Sequence, residues 1–499
     1  MKLPACCAPV FDARGAPQLT LGIDLGTSAI KVVALGLDDQ PVGEGVAPFV
    51  TLSEQPNQAE QRTGDWLAAA STAMRQLAND LDGSIGASWR QQVAAIGVTG
   101  QLPTLVCLGD AQPLAPAITW RDGRADDWAA SRMTPARRAA MYSRTGMPVD
   151  GRYLAPMLHF HFAQRLAEVR TVLSAKDYLI AELTGRRVTE PSTAAGYGIY
   201  DLCQRAFSTE LADFWGLPLA ALPEVLGANR LAGPLHAAGA ALLDLPAGIP
   251  VSTGAADSVC AAYSMAALDA RAVSISFGSS AVVIGAHRTL RLDSSARYLL
   301  TPHVDGEWYA REMDLLSTGT GYRWVGELFS WSDGELDRYA AQSVPGAQGL
   351  IFAPYLAGGE QGALWNPRLR GGLFGLTLRH SRADIARSFI EGVFFEVRRC
   401  VEVLAESAPV DSVIISGNIV RSPSSMQILA DILQRPVSTV QTKSPAAAGV
   451  AALARGIAGL ARDSARLVRP RDGSQPEPSA AEVYETLYHR YLARSAQCE

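Results

Sequence analysis

The sequence predicts an α/β protein of two domains, and three observations lead to that prediction. The chain has 499 residues, more than the roughly 250–300 residues that a single hydrophobic core usually supports. Apolar, strand-like runs alternate along it with amphipathic stretches of helical spacing, which is the pattern of α/β proteins. One strand-turn-strand pattern also occurs once in each half of the chain, which indicates two related units.

The first strand-turn-strand segment is LTLGIDLGTSAIKVVALG, residues 19–36. It places Asp24 inside an otherwise apolar run, where a buried carboxylate is costly unless a cation or hydrogen-bond donors compensate for the lost water. The carboxylate lies two residues before the turn Gly26-Thr27-Ser28 and could hold a hydrated Mg²⁺ beside nucleotide phosphates. A structural salt bridge to Lys31 or to an arginine is the alternative, and both explanations stay open at this point.

Amphipathic helices are predicted after residue 63 and after residue 381. In the first, Thr63 is the expected cap, and an apolar stripe follows at helical spacing, formed by Trp66, Ala70, Met74, Leu77 and Leu81. In the second, the sequence SRAD at residues 381–384 resembles a capping box and opens a stripe formed by Ile385, Phe389, Val393 and Val397. Each helix should therefore lay one apolar face on a core.

Strands are predicted at residues 93–98, 272–285 and 413–416, each followed by glycine or small residues. The second of them contains SISFGSSAVVIGA, the counterpart of the first strand-turn-strand segment. The tips Gly26-Thr27-Ser28 and Gly278-Ser279-Ser280 would expose backbone N–H groups with no bulky side chain in the way, as phosphate binding requires. The alternative is that both tips are simply tight turns.

Asp257 is a candidate general base. It follows STGAA and precedes the helical run SVCAAYSMAAL, so its carboxylate should stand near a helix N-terminus, where negative charge is stabilised. Spacing alone favours an ordinary N-cap role over that of a base.

Composition narrows the functional classes. The apolar content is 48%, the charged content is 19% and the net charge is -5, so nucleic acid is not an expected partner. The apolar runs are shorter than the roughly 20 residues of a membrane span.

Seven cysteines without metal-ligand spacing suggest free thiols in a reducing compartment, so we expect a cytoplasmic protein. Residues 1–18, with Cys6 and Cys7, are expected to form a flexible tail.

The motifs together resemble the FGGY carbohydrate kinases, of the actin, hexokinase and heat-shock ATPase superfamily. The resemblance runs from residue 21 to about residue 460. In chain order the similar segments are GIDLGTSAIK, IGVTGQ with AITWRDGR, SAKDYLIAELTG, TGAADSVCAA, ISFGSSAVV, GGLFGLTLRHSRADIARSFIEG and RSPSSMQILADIL. Each fragment alone is weak, but this order over this length is specific.

The resemblance implies two RNase-H-like domains, hinged about a cleft that holds nucleotide and sugar. The N-terminal, sugar-binding domain would span residues 19–260 and the C-terminal, nucleotide-binding domain residues 261–499. ATP and Mg²⁺ are the implied cofactors, with Asp24 near the metal and Asp257 as the base. The implied nucleotide contacts are Gly26, Thr27, Ser28, Gly278, Ser279, Gly319, Gly417 and Ser422. The implied sugar contacts are Gln101, Leu102, Pro103, Trp120, Asp122, Arg124, Asp257 and Ser258.

The resemblance has two departures. Relatives usually carry a run of glycines where this chain has Asn418 and Ile419, and xylulose kinases usually have Gln-Met-His-Gly where it has Gln101-Leu102-Pro103-Thr104. The resemblance implies xylulose as the leading substrate, and the absence of the histidine at Pro103 leaves a deoxy-ketose or a gluconate- or glycerol-like polyol as alternatives. A non-catalytic sugar or nucleotide sensor is the alternative from another class, and a homodimer is the expected assembly by base rate.

Overall fold

The structure is a computed structural model that describes residues 19–110, 112–266, 268–332, 334–417, 422–440, 442, 444–460 and 471–498. The predicted tail with Cys6 and Cys7, and the residues Asn418 and Ile419, lie outside the described residues. The chain divides into two compact units. The first falls within residues 1–267, 300–309 and 444–468, and the second within residues 268–299, 310–443 and 469–499.

Strands and helices alternate along the chain, as predicted. The strands are β1 (Leu19–Leu25), β2 (Ala29–Leu35), β3 (Pro41–Pro48), β4 (Glu60–Gln61), β5 (Val93–Gly100), β6 (Thr104–Leu108), β7 (Ala117–Thr119), β8 (Thr171–Leu173), β9 (Val188–Thr189), β10 (Tyr200–Asp201), β11 (Ala206–Phe207), β12 (Glu224–Val225), β13 (Leu231–Pro234), β14 (Pro250–Ser252), β15 (Ala272–Phe277), β16 (Ala281–His287), β17 (Leu299–Pro302), β18 (Tyr309–Leu315), β19 (Ile351–Ala353), β20 (Gly372–Phe374), β21 (Ser412–Gly417), β22 (Val437–Thr439) and β23 (Arg471–Ser474). The α-helices are α1 (Thr63–Ser84), α2 (Asp126–Arg132), α3 (Pro135–Thr145), α4 (Leu154–Phe162), α5 (Ala175–Thr184), α6 (Pro191–Ala195), α7 (Thr209–Trp215), α8 (Ala237–Leu243), α9 (Asp257–Ala266), α10 (Gly319–Phe329), α11 (Glu335–Ala340), α12 (Arg382–Ala405), α13 (Pro423–Leu433), α14 (Pro445–Ala454) and α15 (Ala481–Ser495).

The first unit is built on a sheet with the strand order β13-β14-β5-β1-β2-β3. Strand β1 pairs antiparallel with β2 and parallel with β5. Helix α14 packs directly on this sheet because glycines remove side chains from the contact. A Cβ on Gly22 would lie 1.9 Å from the carbonyl oxygen of Ala447, and one on Gly97 would lie 2.2 Å from that of Val450. The described late segment 444–460 thereby belongs to the first unit.

The second unit repeats this arrangement. Its sheet contains the order β18-β16-β15-β21-β22-β23, and β15 pairs antiparallel with β16 and parallel with β21. Each unit therefore has a hairpin whose first strand also pairs, on its other side, with a parallel strand. The predicted α/β class and the two related strand-turn-strand segments are confirmed.

The predicted apolar faces are confirmed, and one predicted cap is wrong. Trp66, Met74 and Leu77 of α1 are buried, and α12 begins with the capping box of Ser381 and Asp384. Thr63, however, is the first helical residue rather than the cap. The cap position is Arg62, which makes no side-chain capping bond, so the helix starts one residue earlier than a threonine cap would allow. Packing of the buried stripe, rather than a capping hydroxyl, must stabilise this helix start.

In the part of the chain that the structure describes, no helix combines the length and the apolar character needed to cross a membrane.

Candidate active site

Asp24 lies near the end of β1, directly across the hairpin from Lys31 on β2. Its carboxylate is buried, with 3% of the residue exposed. The Lys31 Nζ lies 3.4 Å from its Oδ2, which is longer than the roughly 2.7–2.9 Å of a strong charge-assisted bond. The Oδ1 is buried and has no hydrogen-bond partner. The alternative contact with Lys31 is thus present, and it leaves one carboxylate oxygen unsatisfied.

A second carboxylate of the first unit also acts electrostatically on Lys31. The pKa of Lys31 is raised above its ordinary value, chiefly by the negative charge of Asp24 and to a smaller extent by that of Asp257, while burial acts in the opposite direction. The fold of the first unit therefore places Asp257, from the start of α9, within electrostatic range of the Asp24 and Lys31 pair. Asp257 is more than 200 positions from both members of that pair in the sequence.

The first turn, residues 26–28, is held from outside by side chains. The amide of Gln61 donates to the Thr27 carbonyl at 2.8 Å, and the indole N–H of Trp120 lies 3.3 Å from the Thr27 hydroxyl. The N–H of Gly26 bonds to the carbonyl of Ala29 at 3.1 Å, which closes the turn. Ser28 at the tip is exposed. The turn is thus fixed in position while its tip remains open to a ligand.

Gln61 also connects this turn to the predicted sugar-binding stretch. The amide of Gln101 donates to the Gln61 Oε1 at 2.8 Å, while the Gln101 Oε1 is buried and without a hydrogen-bond partner. One network therefore contains Gln101, Gln61, Thr27 and Trp120. It brings together residues that the sequence assigned separately to phosphate and to sugar.

Asp122 and Arg124 form an internal ion pair. Asp122 is 1% exposed; its carboxylate receives the Arg124 Nη2 at 2.7 Å and the N–H of Ala59 at 2.9 Å. Arg124 also bonds to Glu60 at 2.5 Å. With Asp122 buried to this extent, the two residues are not an ordinary surface pair. The charges of Asp122 and Arg124 compensate each other, so the geometry favours a structural role for this pair in the first unit.

His161 of α4 completes this group, and no motif pointed to it. Its Nε2 lies 3.8 Å from the Asp122 Oδ1. Burial, assisted by the positive charge of Arg124, lowers the pKa of His161 to about 4, so the imidazole is neutral at pH 7. In the predicted sugar-binding stretch, the side chain of Leu102 packs on Gly196, where an added Cβ would come within 2.5 Å of it. Pro103, which occupies the histidine position of the xylulose kinase pattern, is half-buried.

Asp257 is the first residue of α9, and its Oδ1 accepts the N–H of Ser258 at 2.8 Å. Both residues are half-buried. A carboxylate at this position is stabilised as the anion by the helix N-terminus. It is therefore partly accessible, at a place in the fold that favours a carboxylate anion.

The second turn, residues 278–280, meets the start of α10 in the second unit. The N–H and the hydroxyl of Thr320 bond to the carbonyl of Ser279, at 2.9 Å and 3.1 Å. A Cβ on Gly319 would lie only 2.2 Å from the carbonyl oxygen of Gly278. Gly319 is therefore required by a close backbone approach, and it is not an interchangeable loop glycine. The tip residues Gly278 and Ser279 are exposed.

Gly417 and Ser422 have structural explanations of their own. Gly417 ends β21 with φ +103°, and an added Cβ would lie 1.8 Å from the carbonyl oxygen of Phe277. Ser422 caps α13, because its hydroxyl accepts the N–H of Ser425 at 3.3 Å. Gly417 is adjacent in the sheet to the strand that leads into Gly278, so it lies on the same edge as the second turn.

The residues of the first unit fit a hydrated magnesium ion held by few protein ligands. The unpartnered, buried Oδ1 of Asp24 is the kind of hard oxygen ligand that Mg²⁺ prefers. Among the residues that the structure describes, no group of three or more His, Cys, Asp and Glu side chains is arranged to hold a metal. An ion at Asp24 would therefore complete its shell mainly with water and phosphate oxygens, as Mg²⁺ commonly does.

The fold, with a hairpin and its glycine turn in each sheet, is the two-domain α/β fold of the actin and hexokinase type. The chain belongs to the FGGY family of carbohydrate kinases. The N-terminal domain of that family matches residues 19–264 and the C-terminal domain residues 273–455. The predictions of a carbohydrate kinase, and of ATP as its phosphoryl donor, are confirmed by this membership.

Three relatives illustrate the similarity. The xylulose kinase of Klebsiella pneumoniae is 29% identical over 83% of this chain and 84% of its own. The L-xylulose/3-keto-L-gulonate kinase of Escherichia coli is 28% identical over 95% and 96%. The crystal structure of xylulose kinase from Rhodospirillum rubrum matches with a TM-score of 0.86 and 30% identity, covering 96% of this chain and 99% of that one. The chain is thus similar to sugar kinases over nearly its whole length.

Proposed function

We propose that this chain transfers the γ-phosphoryl group of ATP to a hydroxyl of a small ketose, with D-xylulose, giving D-xylulose 5-phosphate, as the leading substrate. The observation that supports it most directly is that Gly100 pairs with Leu25 on one side and with Ala256 on the other, so Asp257 follows at the same end of the sheet as the buried Asp24. Xylulose leads because several relatives bear that name. A second sugar, such as a deoxy-ketose or a gluconate-like polyol, remains the alternative, and the cytoplasm is the proposed location.

In the proposed reaction, the sugar hydroxyl oxygen attacks the γ-phosphorus, the bond to the bridging oxygen breaks and ADP leaves. The hydroxyl proton passes to the carboxylate of Asp257. The enzyme's main task in such a transfer is positioning and charge stabilisation. The backbone N–H of Thr27 in the first unit and that of Ser279 in the second are each, taken by itself, of the kind that binds phosphate oxygens. A magnesium ion, when bound, would neutralise phosphate charge, and Asp24 would be its protein ligand.

Release of ADP with a panel of sugars tests this proposal. The panel contains D-xylulose, L-xylulose, a 1-deoxy-ketose, gluconate and glycerol, each compared by kcat/KM. We expect D-xylulose to give the highest value. A higher value for another sugar would replace the substrate while leaving the kinase intact, and no ADP release with any sugar would favour a sensor.

Asp24→Asn should raise the Mg²⁺ concentration needed for half-maximal activity by at least about 10-fold, since even indirect metal partners contribute 10- to 100-fold to affinity. Titration of Mg²⁺ at fixed ATP measures it. Lys31→Met is the matched comparison, because it removes the other member of the pair. If Asp24 serves only that ion pair, both variants lose stability and neither changes the Mg²⁺ dependence.

Because of Pro103, the enzyme should discriminate only weakly between xylulose and an analogue that lacks one hydroxyl. Its side chain offers no hydrogen bond, whereas histidine can donate or accept one, and a pocket without that partner cannot strongly reject a substrate lacking the matching hydroxyl. We expect wild type to use xylulose and 1-deoxyxylulose with similar kcat/KM, and Pro103→His to favour xylulose. An unchanged ratio in the variant would show that Pro103 does not face the sugar.

A further inference from the structure

The backbone that leads into Asp257 is anchored by a buried serine and glutamate. The N–H of Ala256, the residue before Asp257, donates to the Ser192 hydroxyl oxygen at 2.9 Å. That hydroxyl in turn donates to the Glu190 carboxylate at 2.7 Å. Both Ser192 and Glu190 are 1% exposed. The serine hydroxyl thus has its proton committed to Glu190 and a lone pair committed to Ala256, so its orientation is fixed.

Glu190 is itself held rigidly. It is the N-cap of α6, and its carboxylate accepts the N–H of Ser192 at 2.8 Å and the N–H of Thr193 at 2.7 Å. Several hydrogen bonds compensate for burying this charge, as burial requires. Burying a carboxylate costs desolvation free energy. If the only task here were to stabilise a turn, an apolar contact could do so as well without that cost.

Two further side chains fix the same short segment, residues 253–256. The ammonium of Lys176 donates to the Thr253 carbonyl at 2.7 Å, and the Thr99 hydroxyl donates to the Ala255 carbonyl at 2.6 Å. Between them, Gly254 has φ +64°, and an added Cβ would lie 1.7 Å from a backbone oxygen of β5. Buried polar partners or a close backbone approach therefore fix the position of each residue of the segment 253–256, directly before Asp257.

We propose that Ser192, oriented by Glu190, is a positioning residue that fixes the Asp257 carboxylate for proton transfer. This rests on the proposed role of Asp257 as the base. Consecutive Cα atoms are about 3.8 Å apart, so a shift of Ala256 passes almost undiminished to Asp257. Misplacement of a catalytic group by about 1 Å can lower the rate about 10²-fold. A loosened Ala256 should thus slow the chemical step while leaving the sugar's binding contacts in place.

Ser192→Ala tests this, with Ser208→Ala as its matched control. Ser208 is also a buried serine of the first unit, 2% exposed, and it caps α7 by accepting the N–H of Leu211 at 3.3 Å. Both variants should lose thermal stability. We expect Ser192→Ala to lower kcat by about 10- to 100-fold with sugar KM and the sugar Kd without ATP within twofold of wild type. Ser208→Ala should keep kcat within twofold.

Two more variants keep the test decisive. Thr99→Val removes the bond to Ala255 with little change in volume, and it should show the same loss of kcat at constant KM, even if Ser192→Ala fails to fold. A kcat within twofold of wild type in the folded variants, or a loss confined to KM, would overturn the positioning role. Asp257→Asn, measured in parallel, separates the two ideas, because its near-normal kcat would overturn the base assignment itself.

Discussion

Replacing Asp257 with asparagine should lower kcat by roughly 10²–10⁴-fold, the usual contribution of a positioned general base. The amide has the shape of the carboxylate, and its oxygen can still accept the N–H of Ser258, which Asp257 now accepts at 2.8 Å. What is lost is the capacity to take the proton of the sugar hydroxyl. Sugar affinity, measured by calorimetry without ATP, should therefore stay within a few-fold of wild type.

The matched control is Asp384→Asn. Asp384 also lies in the first turn of a helix, where it forms the capping box of α12 with Ser381, and it is not among the residues proposed to contact nucleotide, metal or sugar. The Asp384→Asn variant should lose about 1 kcal/mol in its free energy of unfolding, as a protein with a weakened helix cap does, and its kcat should be unchanged. If Asp257→Asn behaves in the same way, Asp257 is an N-terminal helix residue only, which is the alternative that spacing alone favours.

The sequence predicted the parts of this fold whose signals are local. Each hairpin has its strands and its glycine turn within one short segment, as in residues 19–36 and 272–285, so hydrophobic patterning and turn composition suffice to identify it. The buried stripe of α1 and the capping box of α12 are local in the same sense. Thr63 shows the limit, because a one-residue shift of a helix start changes which side chain occupies the cap.

The parts of the candidate site that the sequence missed depend on partners far apart in the chain. Gln61 clamps Thr27 across 34 positions, and Thr99 holds Ala255 across 156. A single glutamine or threonine carries no pattern that announces a distant carbonyl, and the same applies to His161 beside Asp122. Only the three-dimensional fold decides which buried polar atoms meet, although the cost of burying Asp24 did indicate that a partner was needed.

Gly319→Ala should lower kcat/KM for ATP by about 10²-fold, the effect of moving a binding group by about 1 Å. The added methyl group would start 2.2 Å from the Gly278 carbonyl oxygen. Since non-bonded carbon and oxygen atoms need more than 3 Å, the start of α10 and the second turn must move apart. That movement would break the bond from the Thr320 N–H to the Ser279 carbonyl, now 2.9 Å, and displace the N–H groups proposed for phosphate.

The control for Gly319→Ala lies in the same helix. A Cβ on Gly326 would meet its nearest neighbour, the Trp331 carbonyl oxygen, at 3.5 Å, which is ordinary contact, so Gly326→Ala should fold and should gain up to about 1 kcal/mol from helix propensity. Steady-state kinetics with ATP and sugar varied in turn compares the two variants. We expect only Gly319→Ala to lose kcat/KM for ATP, with the sugar Kd without ATP unchanged. Equal kinetics in both variants would mean that the second turn tolerates the displacement and does not bind the phosphates of ATP, whereas a loss of sugar affinity would place its effect in the fold as a whole.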